Sequence, residues 1–112
     1  MDAIGSYRRI GLAALILALV AGCAAALRHP TPEDARRVSV QWPSTRSADL
    51  ERGRVVYVRR CAGCHTLVLP GTHATEDWPA LVEAMSDKAR LTPEEKTDVV
   101  RFLMALAPPP AR

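Results

Sequence analysis

Apolar residues in the C-terminal half of this chain return every three or four positions, the spacing of an α-helix with one buried face. Trp78, Leu81, Val82 and Met85 fall at offsets 0, 3, 4 and 7 and so share one side of a helix that starts after Thr75, with Glu76 and Asp77 in its first turn. A second stripe, Val99, Val100, Phe102, Leu103 and Leu106, follows Thr92-Pro93-Glu94-Glu95. That tetrapeptide offers an N-cap threonine, proline at N1 and a glutamate at N3 able to complete a capping box. An earlier helix is predicted from Ser47, with Asp49 and Glu51 in its opening turns and Leu50, Val55, Tyr57 and Val58 along it. No segment alternates with a period of two. The fold expected is all-α, with three helices over 47–107 and a proline tail over 108–112 that ends the last of them.

The N-terminal pattern is different. Arg8 and Arg9 precede an apolar run from Ile10 to Val20, which has the form of an export signal and is short for a membrane span. The run closes on Val20-Ala21-Gly22-Cys23, which resembles the lipobox of bacterial lipoproteins. Cleavage before Cys23 would remove 1–22 and leave that cysteine as a diacylglyceryl-bearing first residue. The stretch over 23–46, with Pro30, Pro32 and Pro43 and no sustained apolar period, reads as lipid anchor and tether.

Composition narrows the field. The 112 residues allow one small domain. Beyond residue 22 the chain carries 13 basic and 11 acidic residues, too even a balance to favour nucleic acid as a partner. A folded part of about 60 residues rarely builds a sufficient apolar core alone, so a bound group that adds buried surface is expected.

Cys61-Ala62-Gly63-Cys64-His65 supplies the candidate chemistry. Two thiols at this spacing can each add to a haem vinyl group, and the adjoining histidine then falls under the iron as its axial ligand. A thioredoxin-like dithiol would want a βαβ setting, and a zinc site a second ligand pair; neither is present. The three cysteines of the chain are thus assigned, one to lipid and two to haem, with none left for a disulfide. For the sixth iron ligand the candidates are Met85, His73 and Met104. Met85 is preferred because it lies on the apolar face of its helix, and a thioether raises the iron potential relative to a second imidazole. His73 sits in a polar loop, Met104 lies beside the stripe of the last helix, and His29 belongs to the tether.

With the motif and the three helices in place, residues 47–107 resemble a small class I-like cytochrome c. Gly53, Tyr57 and Cys61 stand four apart, similar to the pattern by which that family packs a glycine and an aromatic of its N-terminal helix against its C-terminal helix. Val99-Val100-Arg101-Phe102-Leu103 looks like the partner helix. The resemblance implies a three-helix haem domain with one covalent haem c, Tyr57 covering a haem edge, and the Pro70 carbonyl accepting the other ring N–H of His65. Nineteen residues separate His65 from Met85, fewer than in many members of the family. Trp78 is expected to line the haem pocket or meet a propionate through its indole N–H, with simple packing as the alternative. Arg59 and Arg60 flank the motif and could face an acidic partner.

The function expected is single-electron transfer by a lipid-anchored, periplasm-facing cytochrome with redox partner proteins at the membrane, and no bond-making catalysis. Export fits because haem attachment in bacteria resembles a process of the outer side of the inner membrane. Ala24 stands where an aspartate would resemble an inner-membrane retention signal, which leans to the outer membrane. The alternatives are a gas-binding or sensing haem lipoprotein and a dedicated cytochrome subunit of an oxidoreductase complex.

Overall fold

Short polar caps set three of the helix starts among the described residues. Thr92 accepts from the Glu95 N–H at 3.1 Å while the Glu95 carboxylate accepts from the Thr92 N–H at 3.0 Å. The capping box anticipated there is therefore formed, and both orphan amides are satisfied. The computed structural model describes Gly11 and residues 27–62 and 66–109. In it four helices follow in order: α1 (Pro32–Arg37), α2 (Ser47–Cys61), α3 (Trp78–Ser86) and α4 (Pro93–Leu106). Two 3₁₀ turns, Pro70–Thr72 and Thr75–Asp77, lie between α2 and α3. There is no strand among the described residues, and their fold is all-α. No helix among them is long and apolar enough to cross a membrane. The apolar run over 10–20 and Cys23 lie outside the described residues.

The core is built on the crossing of α2 and α4. A Cβ placed on Gly53 would stand 2.0 Å from the Asp98 carbonyl oxygen and 2.8 Å from the Phe102 Cβ, so only glycine lets the two helices approach this closely. One turn further along α2, the Tyr57 ring meets the Phe102 ring with centroids 6.1 Å apart and planes tilted by 47°. Leu50, Val99, Phe102 and Leu103 are fully buried along this seam. Each such side chain contributes about 2 kcal/mol by leaving water, against about 0–1 kcal/mol for an exposed ion pair. Apolar contact between α2 and α4, not the surface charges, therefore holds the helices together.

Three of the four helices among the described residues lie over 47–107, as expected there; the fourth, α1, lies in the stretch read as anchor and tether, which packs on the domain from Leu27 onward. Thr31-Pro32-Glu33-Asp34 caps α1 as Thr92-Pro93-Glu94-Glu95 caps α4: the Thr31 N–H donates to the Asp34 carboxylate at 2.8 Å and the Thr31 hydroxyl accepts from the Asp34 N–H at 3.3 Å. Arg28 grips the same carboxylate with both terminal nitrogens, at 2.6 and 2.9 Å. Ala35 and Val38 are buried, and the guanidinium of Arg101 lies 5.4 Å from the centre of the Trp42 ring. The Leu27 carbonyl accepts from Arg54 Nε at 2.8 Å, which ties the start of this segment to α2. A six-residue helix is too short to show an apolar period, and its prolines serve as N1 and turn residues.

Smaller differences concern helix ends. The N-cap of α2 is Arg46, not Ser47, and Asp49 at N3 accepts the Arg46 N–H at 2.7 Å. The Thr75–Asp77 stretch is a 3₁₀ turn leading into α3. After α3, Arg90 takes a φ of 54° and the Leu91 N–H returns to the Ser86 carbonyl at 3.0 Å, which turns the chain towards α4. Pro108 is held by the Thr75 hydroxyl, which donates to its carbonyl at 2.6 Å.

Two predictions follow from this packing. Gly53→Ala must push α2 off α4, and thermal or urea unfolding should register a loss of about 3 kcal/mol, the upper end of the cost of overpacking a core. Asp34 is held at a pKa of about 2, chiefly by its hydrogen bonds from Arg28, and Asp49 at about 2, chiefly by the Arg46 N–H. Both folded values lie below the unfolded ones, so their contribution is present above about pH 4 and lost as pH falls towards 2. Stability measured against pH should drop through that window, and Asp34→Asn should flatten the drop while lowering the plateau.

Candidate functional site

The last turn of α2 carries Tyr57, Arg60 and Cys61 onto the wall of an apolar cavity lined also by Val68, His73, α3, and Val99 and Leu103 of α4. The cavity holds about 300 Å³, at the lower end of the range for ligand pockets. Its floor is made by Val82, Val99 and Leu103, and its polar groups are few, with three of them on the last turn of α2.

Tyr57, Trp78 and His73 are each positioned by a nearby contact. The Tyr57 hydroxyl donates to the Val68 carbonyl, tying α2 to the segment after the haem-type motif. Burial pushes the pKa of that hydroxyl up to about 12, and repulsion from Cys61 adds to the rise while the Val68 bond opposes it. Tyr57 therefore stays neutral at any physiological pH. Trp78 Nε1 donates to the Pro70 carbonyl at 3.1 Å in a buried setting. The edge of the His73 ring meets Trp78, with centroids 5.2 Å apart and planes at 86°. This chain of contacts fixes the 66–77 segment against α3 and places the His73 ring on the cavity wall.

The structure thus gathers Cys61, Tyr57, Trp78, Met85 and His73 around one space. Cys64 and His65 lie outside the described residues, as does Cys23. Pro70 is buried, but the partner seen on its carbonyl is the indole of Trp78. A carbonyl oxygen has a second lone pair, so this bond leaves capacity for His65. It does engage the one polar hydrogen of Trp78, which is aimed at the backbone and not at an anionic group. Met85 is 45% exposed at the edge of the cavity, a position less enclosed than a core methionine would have. Met104 is buried elsewhere, beside Val38 and Ala107, and has a packing role. His29 is outside the cavity and pairs with Glu51 at 3.0 Å on α2.

Two charged residues of the cavity wall were not placed there by the sequence. Lys88 lies one turn beyond Met85 on the same side as Leu81 and Met85, so extending the stripe past the end of α3 would have found it. Arg60 was noted only as a charge flanking the motif. It lines the cavity and lies 3.7 Å from Glu95 across the gap to α4.

No family model, curated protein or solved structure matches the chain. The site must therefore be judged on its own donors. They suit a flat apolar group with anionic substituents: a thiol in the wall, a thioether and an imidazole on two other elements, apolar side chains between them, and cations from Arg60 and Lys88.

Trp78→Phe tests how this wall is held. The Pro70 carbonyl loses its donor and the smaller ring leaves a void in a buried site, so unfolding should show a loss of about 2–3 kcal/mol. Amide exchange over 70–73 should quicken more than exchange within α4.

Proposed function

We propose that the chain is a lipid-anchored, periplasm-facing monohaem cytochrome c that carries single electrons between redox partners at the membrane. The observation that carries this reading is the position of Cys61. The first thiol of the Cys-Ala-Gly-Cys-His motif stands in the wall of an apolar cavity that also presents Met85 and His73. Cys61 and Cys64 would hold the haem by thioether bonds, and His65 would be its first axial ligand. When bound, the haem supplies a one-electron Fe(III)/Fe(II) couple.

The protein's part is to enclose and tune. Tyr57, Trp78, Val82 and Leu103 keep water from the cavity, and a drier site disfavours the more highly charged state of a group within it. Tyr57 and Trp78 spend their polar hydrogens on Val68 and Pro70, so they line the site without offering protons to it. Met85 as sixth ligand would raise the potential relative to a second imidazole. A second reading of the ligand set has its own support: His73 is half-buried, braced by Trp78 and lines the same cavity, whereas Met85 is at the open edge.

Protein matured in a host with a c-type haem attachment pathway should keep haem stain at its own band on a denaturing gel, and Cys61→Ala should lose most of it. Met85→Ala should admit carbon monoxide, and Met85→His should lower the potential while keeping a low-spin spectrum. His73→Ala should leave the spectrum nearly unchanged; a low-spin spectrum lost in His73→Ala and kept in Met85→Ala would assign the sixth position to His73. Rapid, complete carbon monoxide binding by the unaltered protein would instead favour gas binding over electron transfer.

A further inference from the structure

The start of the folded segment is fastened along one stripe of α2. His29 pairs with Glu51 at 3.0 Å and the Leu27 carbonyl accepts from Arg54 at 2.8 Å, so the chain, followed backwards, climbs α2 by about one turn towards its C-terminal end. Glu51, Arg54, Val55 and Val58 fall at offsets 0, 3, 4 and 7 and thus share that stripe. Val55 and Val58 are each 37% exposed and outside the core cluster, with exposed Arg59 beside them. Cys61 follows Val58 by three residues, so the stripe leads to the cavity.

Covalent length limits how far this face can be from Cys23. Three residues, 24–26, separate Cys23 from Leu27, and the four steps between the two reach at most about 14 Å. We propose that the exposed Val55–Val58–Arg59 face of α2 is a membrane-seating surface, pressed on anionic phospholipid headgroups by the short leash to the lipid on Cys23. This rests on the reading of Cys23 as a lipid-bearing residue. The two valines suit the apolar side of the headgroup boundary, and exposed Arg59 suits its negative charge. The seat places the Cys61 end of α2 beside the bilayer. Redox partners embedded in the same membrane would then meet the cavity edge without a long tether to search with.

The test uses the full mature lipoprotein, held ferrous, in nanodiscs of phosphatidylethanolamine and phosphatidylglycerol with some lipids carrying a gadolinium chelate at the headgroup. Amide signals of Val55, Val58 and Arg59 should be broadened several-fold more than that of Val40, which is 92% exposed. Even broadening over the surface, or a maximum at Val40, would overturn the seating while leaving the anchor intact. Mass spectrometry of the same sample reports the anchor separately: an unacylated Cys23 would overturn both.

Discussion

The close approach of α2 to α4 at Gly53 is the constraint on which the rest of the structure depends. With no side chain at that position the two helices meet backbone to backbone, which buries Leu50 and Phe102 completely and lays Tyr57 against the Phe102 ring. The same contact sets where the last turn of α2 ends, and so where Cys61 stands relative to Val99 and Leu103 of α4. A side chain at position 53 would therefore disturb the cavity as well as the core. Packing and site share one joint.

Most of the α2–α4 framework was legible in the sequence because the signals were local and strong. The Thr92 capping box and the Val99 to Leu106 stripe depend on helix geometry alone, whereas the packing role of Gly53 and Tyr57 came from the resemblance to cytochromes c. The lead-in was not legible, because α1 is too short to show a period and its hold on the domain is tertiary: Arg28 on Asp34, Arg101 over Trp42, Arg54 on Leu27. Its cap pattern, Thr31-Pro32-Glu33-Asp34, was the one available clue. Within the site, Trp78 and Met85 could be placed on one apolar face from spacing. That the indole N–H turns to the Pro70 carbonyl, and that His73 packs edge-on to Trp78, depends on how the 66–77 segment folds back, which no periodicity encodes.

The lead-in changes what an anchor at Cys23 would mean. A tether of some twenty residues would let the domain roam from its lipid. Folding from Leu27 onward leaves only a few residues of reach, so orientation at the membrane becomes a property of the fold. Asp34, which caps this segment, and Asp49, which caps α2, are the groups whose depressed pKa values make the fold sensitive to strong acid.

The account stands on the claim that this cavity receives a haem through the motif at its wall. The most direct measurement is the intact mass of the denatured mature domain after expression with and without a c-type haem attachment pathway. The account predicts a gain equal to one haem only with the pathway, and retained under denaturation because both thioether bonds survive it. A chain that folds normally yet has the bare polypeptide mass under both conditions would contradict it.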